Sequence, residues 1–377
     1  MTMTIERRTV VRAVLVFVVA ALAVTLFSAM TAQGATVSDS AVSSDISMTT
    51  TTVDIDPPDD AASEPAPTSY SGSNRFLQSI VNGLVFGLLL ALASVGLSLI
   101  YGTTGLSNFA HGEQVSFGAV LTYFFATQQP VSLPMIPVSF VIGMPLVPAA
   151  LLAIAVAGAL GWVQDRYLWS RLRKRRVGLV QQMIVSIGLS LAILNFIQWW
   201  VGGRRLRLTP DIDPRYQLGP VYLGEQTLIS TGIAIACLLG VGFFLTQTRR
   251  GRATRAVSDN PSLAAASGIK VDSIVRLVWV MAASLAAVGG ILLALYENGT
   301  AFDAGARLLL LMFAAVTLGG LGHPFGALVG SMVIGLVTEV STVWLAPDLK
   351  YAVALGILIL VLLVRPQGIL GRAERVG

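Results

Sequence analysis

Apolar runs long enough to cross a bilayer dominate this chain, each set off from the next by a short polar or glycine-rich interruption. A spanning helix needs about 20 apolar residues. Runs of that order lie at 11–31, 77–101, 114–128, 138–163, 179–201, 226–248 and 273–296. A close pair follows at 307–321 and 325–345, and a last run at 350–364. The expected fold is therefore an all-α polytopic membrane protein. It has about eight core transmembrane helices, with the 307–345 pair counted together, plus an N-terminal signal or anchor segment. Composition agrees. Of the 377 residues 54% are hydrophobic and only 12% charged, whereas a soluble domain carries about 25% charged residues.

Several chemistries are excluded at once. Cys237 stands alone, so neither an internal disulfide nor a cysteine metal site can form. The only histidines are His111 and His323, and neither an HExxH nor a CxxC spacing occurs. Lys174, Lys270 and Lys350 are the only lysines and none follows a GxxxxG, so the chain has no P-loop of its own. Nothing resembles paired catalytic carboxylates with a base or a nucleophile elbow. No catalytic residues, metal or cofactors are expected, and no nucleic-acid partner. If ATP drives this protein, another subunit binds it.

Residues 1–35 read as a signal sequence or first anchor, with Arg7, Arg8 and Arg12 ahead of an apolar run. Residues 36–75 are rich in Ser, Thr, Asp and Pro and read as an acidic disordered extracytoplasmic linker. The membrane domain is expected over 76–372, followed by a cytoplasmic tail at 373–377. Cytoplasmic loops carry an excess of Lys and Arg. With the first arginines inside, the clusters at Arg166–Arg176, at Arg249–Arg255 and at Arg365, Arg372 and Arg375 all fall inside as well. Arg204, Arg205 and Arg207 fall outside, partly balanced by Asp211 and Asp213. The location expected is a bacterial inner or plasma membrane, crossed many times.

The interruptions carry the chemistry. Residues 249–272 read RRGRATRAVSDNPSLAAASGIKVD. Asn260-Pro261 is a good helix start and Gly268 a good helix stop, which predicts a short cytoplasmic helix between two spanning ones. Its Ala264, Ala265 and Ala266 would let another surface approach closely. At 108–113, NFAHGE interrupts the first core hairpin. Glu113, with His111 and Asn108, is either a wet cytoplasmic turn or a polar group used within the membrane. Glu339 lies inside the run VIGLVTEVSTVWL, where an acid faces the bundle interior, a water-filled path or a neighbouring helix. Asn195 and Gln198 read as helix–helix glue, and Gly83-xxx-Gly87 and Gly326-xxx-Gly330 as packing. GLSNFAHGEQVSFGA at 105–119 and GGLGHPFGALVGS at 319–331 echo one another weakly and approach the membrane from the same side.

At these residues the chain resembles the inner-membrane permeases of the branched-chain amino acid ABC transporter family, the LivH-type subunit. The blocks are NGLVFGLLLALASVGLSLIYG, NFAHGE, RAVSDNPSLAAASGI, LGGLGHPFGALVG and RPQGILGR, spread over about 76–372. The resemblance implies that 249–272 docks on a cytoplasmic ATP-binding cassette subunit, with Arg252, Arg255, Asp259, Asn260, Ala264, Ala265 and Gly268 as candidate docking residues. Asn108, His111, Glu113 and Glu339 are the translocation-path candidates. The implied partners are two ATPases, a second related permease, an extracytoplasmic substrate-binding protein, a small-molecule substrate and membrane lipid. Similar permeases in that family are associated with urea or short amides, so substrate is the open point. A gradient-driven secondary transporter is the competing class. The N-terminal 75 residues depart from the family pattern.

Overall fold

The computed structural model describes residues 72–127, 131–132, 139–140, 142–209, 214–346, 349–364 and 368–369. The expectations for 1–35, for 36–71 and for 373–377 lie outside those residues, as do Asp211, Asp213, Arg365, Arg372 and Arg375.

Each of the nine apolar core segments coincides with a helix. The helices are α1 (Gly72–Thr104), α2 (His111–Ala126), α3 (Leu146–Gln164), α5 (Leu179–Val201), α6 (Glu225–Gln247), α9 (Val271–Tyr296), α10 (Ala304–Gly319), α11 (Pro324–Ser341) and α12 (Lys350–Val364). Short α4 (Ser170–Lys174) continues α3 through a π turn at Asp165–Trp169. Helices α7 (Arg249–Asp259) and α8 (Pro261–Ala266) occupy the 249–272 loop. Six helices among the described residues are long and apolar enough to cross a bilayer; α10 and α12 are shorter apolar helices.

Boundaries differ from expectation where local chemistry intervenes. Helix α1 begins at Gly72, inside the stretch read as linker. Helix α3 begins at Leu146 rather than near 138, with Pro145 immediately before it. The preceding strap folds back, with Met144 N–H donating to the Phe125 carbonyl. Two small antiparallel hairpins were not legible in the sequence. One pairs β1 (Val131–Ser132) with β2 (Ser139–Phe140), the other β3 (Arg215–Leu218) with β4 (Val221–Gly224).

Helices α1 and α9 are the hub. In α1 89% of the apolar stretch is buried, against 17% in α5, so α1 is core and α5 is periphery. Lipid tails supply little drive for apolar helices to associate, so close van der Waals approach at small residues must do it. That is what the glycines provide. Gly83 and Gly87 of α1 lie against the backbone of Leu336 and Met332 of α11, where a Cβ would come within 2.8 and 3.0 Å. Gly326 and Gly330 seat α11 against Gly319 and Ala315 of α10. Both GxxxG readings as packing motifs hold. Gly118 meets Ala287, Gly290 meets Val115, and Gly161 meets Trp279, which locks α2 and α3 onto α9.

The two ends of the bundle are populated as the arginine pattern expects. At the inner end a Cβ on Gly102 of α1 would touch Ser258 of α7 at 2.7 Å and Gly322 of the α10–α11 turn at 2.8 Å. The two glycine-rich interruptions therefore lie on the same side. Ile369 joins them, its N–H donating to the Leu318 carbonyl at 2.7 Å. At the outer end the Gln78 side-chain amide exchanges two 2.9 Å hydrogen bonds with the Tyr222 backbone. The discordant outer arginines have local uses there. Arg204 donates to the Tyr123 hydroxyl and Arg205 to the Glu297 carbonyl, while Leu206 and Thr300 pair their backbones. These contacts draw the outer ends of α2, α5 and α9 together.

Close packing predicts a sharp contrast between two glycines. A Cβ on Gly290 would collide with the Val115 carbonyl, whereas one on Gly356 of α12 meets nothing within 4 Å. Gly290→Val is expected to destabilise by about 3 kcal/mol or more and to abolish the monodisperse peak on size exclusion in detergent. Gly356→Val should retain both that peak and the parent melting temperature.

Candidate functional site

The 249–272 loop folds as its sequence dictates. Thr248 ends α6 and caps α7, its hydroxyl oxygen accepting from Gly251 N–H at 2.9 Å. The Asn260 side chain accepts from Leu263 N–H at 2.9 Å, Pro261 takes the first helical position, and α8 follows. Gly268 at φ +83° closes α8, with Gly268 N–H donating to Ala265 and Ile269 N–H to Ala264. The first half, for which no helix was predicted, is the eleven-residue α7. Arg252, Arg255, Asp259, Asn260, Ala265 and Gly268 are exposed on this element. Ala264 is not, being 4% exposed and part of the hydrophobic core. Leu263, 66% exposed, is the apolar side chain that α8 presents instead.

The NFAHGE block is neither wet nor a simple turn. Gly105 closes α1, its N–H donating to the Tyr101 carbonyl at 2.7 Å. It lies beside Leu179, the first residue of α5. From there the chain runs back into the bundle. His111 Nε2 is 2.9 Å from the Ala93 carbonyl, and Ser190 Oγ donates to Glu113 Oε1 at 3.3 Å. Ala93 lies 11 residues before the end of α1 and Ser190 lies 11 after the start of α5. At 1.5 Å per residue both put Glu113 about 16 Å from the inner end, near the middle of a hydrocarbon core about 30 Å thick. Helix α2 therefore starts inside the membrane. Asn108 shapes the entry by accepting from Ala110 N–H at 3.2 Å, and Ser186 of α5 accepts from Phe109 N–H at 3.2 Å.

Helix α10 begins beside it. Gly305 and Gly112 touch through their backbones, and Gly305 N–H donates to Ser116 Oγ at 2.6 Å. Two helix N-termini, each carrying a partial positive charge, thus meet within the bundle. Glu113 occupies the first turn of α2. Asn108, His111 and Glu113 are fully buried. Asn108 Nδ2 and Glu113 Oε2 nevertheless have no hydrogen-bond partner within the described residues. Leaving one such group unpaired costs about 1–3 kcal/mol, more for a charge. A donor and an acceptor are thus left unpaired at mid-depth among the described residues.

Glu339 does not join this group. It sits in the last turn of α11, toward the outer end, with its carboxylate 3.8 Å from Lys350 Nζ at the start of α12. Lys350 in turn lies over the rings of Phe86 and Tyr351. Asn195 donates to the carbonyl one turn back on its own helix, the Leu191 carbonyl, rather than to a neighbour. The residues that complete the site around Glu113 were not singled out in the sequence: Ser186, Ser190, Gln114, Ser116 and Gln164. A signal existed in α5, where Gln182, Ser186 and Ser190 recur every four residues in an apolar helix and so share one face. Among the described residues no group of three or more His, Cys, Asp and Glu could hold a metal ion.

Comparison with known proteins places this architecture. The family described as branched-chain amino acid transport system / permease component matches residues 79–362. The chain belongs to this permease family. It is 31% identical over 311 residues to the high-affinity branched-chain amino acid transport system permease protein LivH of Escherichia coli (strain K12), covering 79% of this chain and 96% of the relative. The permease protein BraD of Pseudomonas aeruginosa is 29% identical, with 80% of this chain and 97% of the relative covered. A probable branched-chain amino acid transport permease protein LivH of Methanocaldococcus jannaschii is 29% identical, with 76% and 90% covered. The match starts in the first core helix and runs into α12. This permease is a multi-pass membrane protein and a transport subunit rather than an enzyme.

The contrast between Ala264 and Ala265 is testable in a Cys237→Ser background. Ala265→Cys should react readily with a maleimide in purified permease. Ala264→Cys should react at least tenfold more slowly. Equal rates, read by mass spectrometry, would mean that α8 lies differently.

Proposed function

We propose that this chain is the membrane permease subunit of an ATP-driven ABC importer that carries branched-chain amino acids. The family match over 79–362 carries the reading. The arrangement of α7 and α8 supports it, since the sequence carries no P-loop motif and the two helices form a capped element at the inner end. The partners are ATP-binding subunits and an extracytoplasmic substrate-binding protein, with a second, related permease completing the path. Arg252, Arg255, Asp259, Asn260, Leu263, Ala265 and Gly268 form the ATPase-docking surface; Ala264 supports α8 from beneath.

In this reading the solute passes the site where α2 and α10 begin. A zwitterionic amino acid needs an acceptor for its ammonium and donors for its carboxylate. Glu113 Oε2 is the acceptor. Asn108 Nδ2 and the amides at the two helix N-termini are the donors. Glu339 already has Lys350 beside it and serves as an outer structural tie.

The deciding experiment is uptake of labelled leucine, isoleucine, valine and urea into proteoliposomes holding this permease with its sister permease, ATPases and binding protein. ATP-dependent uptake of the three amino acids is the expected result. ATP-dependent uptake of urea alone would overturn the substrate, and uptake indifferent to ATP would overturn the class. In the same assay Glu113→Gln removes the charge but keeps the shape. It should lower leucine uptake at least tenfold at unchanged assembly, while Glu339→Gln changes the rate less than threefold.

A further inference from the structure

We infer that Asp165 is a positioning residue that passes movement of the docking loop to the mid-membrane site, and so couples ATP hydrolysis to transport. The inference rests on the importer reading above. Asp165 is fully buried at the inner end of α3, in the π turn. Its Oδ1 accepts from Arg173 at 2.6 Å and its Oδ2 from Arg276 at 3.3 Å. Arg276 sits in the second turn of α9, the helix that leaves the docking loop. There is little slack between the two. Helix α8 closes on Gly268 through two backbone bonds, and Ser273 and Ile274 then donate to Lys270. A push on α8 therefore arrives at Arg276.

The π turn makes this cluster possible. Eight residues of ideal α-helix turn through about 800°, overshooting two full turns by about 80°. Arg173 would then lie about 80° around the helix from Asp165. The extra residue of the π turn takes up the overshoot and returns Arg173 to the same face; such bulges recur at functional sites. One turn further on, Trp169 stacks on Trp279 with ring centroids 5.2 Å apart and planes 15° apart. Helix α3 thus follows α9 as one body at this level.

The other side of Asp165 leads to the solute site. Gln164, the preceding residue, accepts from Gln114 Nε2 at 2.8 Å. Gln114 adjoins Glu113. The contacts form an unbroken sequence from α8 through α9, Arg276, Asp165, Gln164 and Gln114 to Glu113. An apolar pair would hold α3 to α9 as well as a buried ion cluster does, because desolvation offsets most of the attraction. A cluster of charges has instead a directional arrangement that a small shift can exchange for another. Contiguity alone is not coupling, which is why the test measures coupling itself.

The measurement is ATP hydrolysed per leucine imported by the fully assembled complex in proteoliposomes. Asp165→Asn and Arg276→Gln are each expected to hydrolyse ATP yet raise that ratio at least tenfold. The double variant should go no further, because both break the same link. Gln164→Met cuts the next contact without touching the ion cluster and should also raise the ratio. Arg166→Gln, at the exposed neighbouring position, should leave it unchanged. An unaltered ratio in Asp165→Asn would overturn the inference, as would loss of uptake that only tracks lost complex while Gln164→Met couples normally. Parent uptake indifferent to ATP would sink the importer reading, and this inference with it.

Discussion

Everything in this bundle depends on backbone meeting backbone at glycine. In water a helix pair is held by the apolar surface it hides, but in lipid that term nearly vanishes and close contact must replace it. Gly83 and Gly87 seat α1 against α11, Gly118 and Gly290 seat α2 against α9, and Gly326 and Gly330 seat α11 against α10. With α1 and α9 fixed this tightly, neither half-helix that starts inside the membrane can drift. The contact of Gly112 with Gly305 belongs to the same set, so the buried polar group around Glu113 is framed by the packing device that builds the fold.

The same packing bears on how an acidic side chain is held at mid-depth. Among the described residues no salt bridge reaches Glu113. It has one hydroxyl, the field of the helix it begins, and a second helix N-terminus beside it. Such a group is costly to bury and is retained where it acts on something that passes. Asp165 shows the other solution, a buried acid held by two arginines. The two acids lie on the two sides of the Gln164–Gln114 contact. One meets the solute in this reading and the other meets the machinery.

The inner end gathers the interruptions of the sequence into one assembly. The Gly102 end of α1, the α10–α11 turn and α7 touch one another there, and Gly368 and Ile369 lie against the end of α10. The outer end is tied by polar side chains, with Gln78 on β4 and the Arg204–Arg207 stretch bridging α2, α5 and α9. The outer arginines looked discordant because the charge pattern records which side a loop lies on and says nothing of what its side chains hold.

Sequence by itself determined the all-α membrane class, the apolar segments that become core helices, the capped helix α8 and the packing at Gly83, Gly87, Gly326 and Gly330. Those features follow from local chemistry: apolar length, Asn-Pro and Gly at helix ends, and glycine spacing. Tertiary structure alone decided the rest. NFAHGE could have been a wet turn until Ala93 and Ser190 placed it at mid-depth. Ala264 could have faced outward until the core claimed it, and Glu339 lay at apparent depth until Lys350 appeared beside it. Nothing in the sequence singled out Asp165. Its burial depends on the π turn and on Arg276, which is 111 residues away in the chain. Hydropathy and spacing report the cost of placing a group in lipid; which distant partner meets that cost is settled only when the helices pack.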